Sequence, residues 1–237
     1  MASQKRTVLL LSLAYQETFD EVHGRLVDAF LSVANVKRVK TPKAALTVLE
    51  NTPLTAIIIT DEGLAKPDPK NKEVFALVWS FIDIGGLVIV GQHFPNCPSG
   101  DQYVDFFKAF GLPWKKGDYH RTDFEINPSC IFPFGLRPGA MPHEYSMKAV
   151  HVRGASESQR MFVAAPGAQT QSHAFAPQDV DRSQAAVAAA RIGQGTLVYC
   201  GDVNGEGESV ALVMSLRVEL LGYGGSSVTT DLRLLKS

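Results

Sequence analysis

Along the first half of the chain, continuous apolar runs alternate with amphipathic stretches. Residues 7–13 (TVLLLSL) are apolar almost throughout, the pattern of a strand covered on both faces. Thr18, with Glu21 three residues on, reads as a capping box, and Val22, Leu26, Ala29, Phe30 and Val33 follow at helical spacing. Residues 36–39 predict a short second strand, and Pro42 opens a helix carrying Ala45, Leu46 and Leu49. Residues 55–60 (TAIIIT) predict a third strand that delivers Asp61 and Glu62 into a polar loop. A helix over 74–84 stops at Gly85 and Gly86, and residues 87–90 make a fourth strand. Ser99 with Gln102 forms another capping box, opening a helix that runs to Phe110. This order predicts an α/β fold in which right-handed crossovers join parallel strands into a doubly wound sheet. The first, third and fourth strands should be buried on both faces.

The pattern changes after residue 112. Residues 112–185 are rich in Pro, Gly and aromatics, with strand-like pieces at 122–126, 147–152 and 161–164. They read as an irregular, partly antiparallel insertion, and residues 167–184 as an exposed loop. Order returns over 186–192, followed by a turn, a strand over 196–200, the loop GDVNGEGES and a helix from 209 to about 221. The tail, 222–237, either adds an edge strand or meets a partner. The whole chain, 1–237, reads as a single domain with an insertion and a tail.

Composition narrows the function. With 23 basic and 24 acidic residues, a net charge of −1 and no basic block, no nucleic-acid surface is expected. The longest apolar stretch, 74–90, is broken by Asp83 and the glycine pair, so no membrane span is expected. The apolar run near the amino end is strand-length and has no cleavage site after it, unlike a signal peptide. Cys97, Cys130 and Cys200 are odd in number and scattered, which fits neither a disulfide framework nor a zinc site and suggests a reducing cytoplasm. Cofactor and metal stay unknown at this level. A small-molecule ligand, a protein partner and a homo-oligomer all stay open.

In doubly wound sheets ligands bind beyond the carboxyl ends of the strands. The loops there carry residues 14–16, Asp61 and Glu62, residues 92–97 and, if the late strand is parallel too, residues 202–208. The candidate site residues are therefore Gln92, His93, Cys97, Asp202 and Glu206, with Asn204 and Glu208 nearby. His120, Arg121 and Asp123 form a polar cluster in the insertion, as do His143 and Glu144, and either cluster could be a solvated loop.

The strand layout, GGLVIVGQHF before a capped helix and GQGTLVYCGDVNGEGES before the last helix resemble class I glutamine amidotransferase-like domains. That resemblance implies a flavodoxin-like sheet over most of residues 7–221. Active members of the family place a nucleophilic Cys in the turn where this chain has Gly91-Gln92, and a His-Pro-Glu run where it has Asp202-Val203-Asn204. A thiol nucleophile needs a base, and the base needs an orienting group. Neither Gly nor Gln replaces the thiol, and Asp is a poor base near neutral pH, so the standard Cys-His-Glu triad does not carry over. The trehalose-utilisation-like proteins, a sibling group, carry a His shortly after a similar strand, about two residues from the position of His93.

Three functional readings follow. One is a triad-deficient binding or assembly domain without glutaminase activity. Another is a hydrolase of different chemistry using His93 with Asp202 or Glu206, with or without a metal. The third is a purely structural subunit. Cys97 is either a thiol with a helix terminus to activate it or a packed loop cysteine. His93 is either a site residue or a structural histidine. Asp202, Glu206 and Glu208 are either oxygen ligands for a hard cation or turn and helix-dipole residues.

Overall fold

The computed structural model describes residues 6–132, 139, 141–172 and 174–218. The predicted tail, 222–237, and the end of the last helix lie outside them. Strands β1 (Thr7–Leu11), β2 (Asn35–Val39), β3 (Ala56–Ile59) and β4 (Leu87–Val90) are parallel, as their order predicted. They are followed by β5 (Lys115–Ile126), β6 (Glu144–Arg153), β7 (Arg160–Ala164), β8 (Val187–Ile192) and β9 (Gly195–Cys200). All nine belong to one mixed sheet in the order β2-β1-β3-β4-β9-β8-β7-β5-β6. Strand β9 pairs parallel to β4, Leu87 opposite Thr196, while every pairing from β9 to β6 is antiparallel.

The apolar runs lack alternation because both faces of the parallel half are covered. Leu9, Leu11, Ile57, Ile59, Val88 and Val90 enter one core with α2 (Pro42–Asn51), α3 (Pro69–Asp83) and α4 (Gly100–Ala109). Val8, Leu10, Ile58, Leu87 and Ile89 enter the other, with α1 (Phe19–Val33) and α5 (Gly207–Val218). Among the described residues, no helix is long and apolar enough to cross a membrane.

Local expectations meet mixed outcomes. Ser99 caps α4 with both halves of its box: the Gln102 amide donates to Ser99 Oγ, and the Ser99 amide donates to Gln102 Oε1. Thr18 does not form the predicted box. Its backbone is already helical (φ −64°, ψ −10°), and its side chain makes no cap hydrogen bond. The buried stripe of α1 is Phe19, His23, Leu26 and Phe30, whereas Val22 and Val33 are each 38% exposed. The stripe keeps Leu26 and Phe30 from the predicted set but takes Phe19 and His23 in place of Val22 and Val33.

The 112–185 region is more regular than the sequence suggested. It supplies β5, β6 and β7, which extend the same sheet, and β6 folds back across the middle of it. The Val150 amide donates to Gly201 O, Val152 and Ala185 exchange hydrogen bonds, and the Tyr199 hydroxyl donates to Val150 O. Gly201 is required at this crossing, since a Cβ there would lie 2.2 Å from Val150 O. Both cores run on into this half: Trp114 and Val163 belong to the first, Phe124, Met147 and Phe162 to the second.

Candidate functional site

The carboxyl edge of the parallel strands gathers the predicted loops. After β4 the chain turns at once: the Phe94 amide donates to Gly91 O at 3.0 Å, the Asn96 amide to His93 O, and the Cys97 amide to Phe94 O. Phe94 is fully buried against Phe106, with ring centres 4.7 Å apart, and this anchors the turn in the aromatic core. The His93 amide donates to Thr60 O, tying the turn to the end of β3. Among the described residues Gln92 is the one non-glycine with positive φ, at 58°. A side chain there is strained, and such strain gathers at functional turns.

Gln92 is buried, and its Oε1 has no hydrogen-bond partner. It lines a small cavity with His23, Leu26, Cys200, Asp202, Gly205 and Ser209. The volume is about 20 Å³, room for a water-sized group rather than an amino acid. His23 lies with its ring centre 5.0 Å from that of His93, and Phe19 packs against both. Burial, helped by His93, pushes the His23 pKa down to about 4, so the ring is neutral near pH 7, and its Nε2 is buried without a partner. Burial also lowers the pKa of His93, against the pull of the Glu62 carboxylate.

Asp202 is committed elsewhere. Its Oδ1 accepts from the Asn204 amide at 2.9 Å and its Oδ2 from the Glu206 amide at 2.8 Å, so it builds the turn ahead of α5. Burial raises its pKa despite those bonds. Gly205 takes φ +66° at that turn, and a Cβ there would lie 2.6 Å from Val22 O. Glu206 forms an ion pair with Arg121 and accepts from Asn204 Nδ2. Glu208 is exposed, as are His143 and Glu144. Cys200 is buried in the second core beside the cavity.

Cys97 belongs to a different cluster. Gln16 Nε2 lies 4.0 Å from its Sγ, and burial, reinforced by Glu62, pushes the thiol up to about 11, so no thiolate forms near pH 7. Glu62 pairs with Lys66 at 2.8 Å, which holds it below its ordinary pKa although burial pulls the other way. Asp61 caps the short 3-10 turn Glu62–Ala65 through the Gly63 amide, and burial raises its pKa to about 6.

Five residues were predicted for the site. Gln92 and Asp202 line one cavity, and His93 abuts its wall through His23. Cys97 faces Glu62 and Gln16, and Glu206 is held by Arg121. No hydrogen bond or ion pair joins His93 to Asp202 or Glu206. Sequence reasoning missed His23, although counting it as an interior residue restores the Phe19, Leu26, Phe30 stripe. Among the described residues no set of three or more His, Cys, Asp or Glu side chains is arranged to hold a metal.

No family model and no curated protein matches the chain. Solved structures do. A ThuA-like protein from Bacteroides uniformis superposes with a TM-score of 0.60 at 9% identity, covering 93% of each chain. A second ThuA-like protein, from Parabacteroides merdae, gives 0.59 at 12% identity, over 97% of this chain and 94% of its own. A β-galactosidase from Bacillus circulans gives 0.55 at 11% identity over 91% of this chain but 31% of its own. The likeness is one of fold, and the ThuA-like neighbours belong to the class I glutamine amidotransferase-like fold family.

Proposed function

We propose that the chain is a triad-deficient class I glutamine amidotransferase-like domain, flavodoxin-like in its parallel half, that serves as a binding or assembly domain without glutaminase activity. Counting β9 as the fifth parallel strand gives the order 2-1-3-4-5, the doubly wound order of that architecture. The observation that carries the reading is the strained turn after β4, where the positive-φ position expected of a nucleophile holds Gln92. The only thiol in that loop, Cys97, lies five residues on and is kept protonated by burial and by Glu62. The hydrolase reading is not favoured, because the carboxylates it needs are already engaged by backbone amides and by Arg121.

Incubation with glutamine is the test. No ammonia should appear above a buffer control, and Cys97→Ala should change nothing. Ammonia release that Cys97→Ala abolishes would overturn the proposal.

A further inference from the structure

Arg38 is the next-to-last residue of β2, in register with Leu10, and its side chain reaches the first turn of α1. Nη1 donates to Asp20 Oδ1 at 2.7 Å, while Asp20 Oδ2 accepts from the Tyr15 hydroxyl at 3.1 Å. The guanidinium carbon is 4.7 Å from the Tyr15 ring centre and 4.6 Å from that of Phe19. Lys40 Nζ lies 3.4 Å from the Tyr15 ring centre. Two cations thus meet one tyrosine at the carboxyl edge of the sheet.

Arg38 Nε and Nη2 are shielded from solvent and have no hydrogen-bond partner. Those two groups form one edge of the guanidinium, a planar fork that fits a carboxylate or phosphate bidentately. Buried donors without acceptors are rare in folded proteins, and an absent ion is one standard reason for them. Asp20 does not supply the second acceptor, since it touches only Nη1 and its side chain is 54% exposed. The amino end of α1 lies alongside without a side-chain cap, and its partial positive charge favours an anion. Asp20 and Glu21 in that turn oppose one, while Arg38 and Lys40 balance them.

We propose that the Arg38 fork, with Lys40 beside it, binds an oxyanion, the carboxylate or phosphate group of a small molecule, where β1 and β2 meet the first turn of α1. Tyr15, on the loop after β1, is half-buried, and its ring lies beside the guanidinium at the edge of the site. The site adjoins the Gln92 turn through Phe19, whose ring also packs against His93, but it does not depend on the absence of glutaminase activity.

The test titrates the protein with sodium phosphate and, separately, sodium acetate, with sodium chloride at matched ionic strength as control. Melting temperature and the Arg38 Nε–H resonance are followed together. Phosphate, acetate or both should raise the melting temperature and move the resonance saturably beyond chloride. A response to one alone assigns the ligand's headgroup to that chemistry. Arg38→Lys keeps the charge but loses the fork and should weaken binding roughly tenfold, the loss of a charge-assisted hydrogen bond. Lys40→Ala should weaken it less, and its resonance readout stands even if Arg38→Lys lowers stability. Responses no larger than those to chloride, or binding by Arg38→Lys equal to the parent's, would overturn the site.

Discussion

Gln92 holds a backbone conformation that costs an L-residue about 1–2 kcal/mol and carries a buried amide oxygen without a partner. Gln92→Gly should therefore raise stability by roughly 1 kcal/mol, after the glycine's greater unfolded-state entropy is set against the relieved strain. Gln92→Val, β-branched at positive φ, should lower it by a similar amount, and urea denaturation of the two variants reads the difference. Titration gives a second prediction. His23 and His151 are both buried with pKa values lowered to about 4, mainly by burial, whereas the unfolded chain takes up those protons near 6.5. Their contribution to stability is therefore complete above pH 6.5 and is lost as pH falls from there towards 4. Asp61 works in the opposite direction. Its folded pKa of about 6 lies above the ordinary aspartate value of 3.8, so its buried charge costs stability above pH 6, and the cost fades as pH falls. Asp61→Asn should raise the melting temperature at pH 8 and leave it unchanged at pH 4, whereas His151→Asn should flatten the acid limb.

At the scale of elements, the two predicted helix caps make a controlled pair. Ser99 holds a complete capping box, and Ser99→Ala should cost about 1 kcal/mol of stability. Thr18, which caps nothing, should tolerate alanine within about 0.5 kcal/mol. Chemical denaturation of both variants tests whether the Thr18 side chain contributes a cap. The same contrast explains what the sequence disclosed. Strands β1, β3 and β4 were legible because burial on two faces writes an unbroken apolar run. Strand β5 was only partly legible: Lys115, Asp118 and Tyr119 are exposed, and its register with β6 shifts between Lys116 and Tyr119. A bulged strand with one open face loses the period-2 signal. His23 was hidden for a different reason, since its polarity masks a place on the inner stripe of α1. The turn at Gln92 was legible as a junction, but its positive φ was not, because glutamine carries no signal for that conformation.

At the scale of the whole molecule, both cores cross from the parallel into the antiparallel half. Trp114 is fully buried in the first core, on the antiparallel side, whereas the five α-helices among the described residues flank the parallel strands or lead into β5. If the two halves unfold as one unit, Trp114 fluorescence, read in a Trp79→Phe background that removes the second tryptophan, and far-UV circular dichroism should report the same urea midpoint. Separate midpoints would mean that 112–185 is a subdomain of its own. The sheet's strand order bears on how the chain comes into being. Strand β9 fills the gap between β4 and β8, so the partner of Leu87 is Thr196, and everything between them must be made first. A ribosome therefore releases four parallel strands whose edge at β4 waits through the synthesis of the entire antiparallel half. Closing that gap is a long-range, entropically costly step, so β9 arrives late, and until then Val88 and Val90 line an unfinished edge open to other chains.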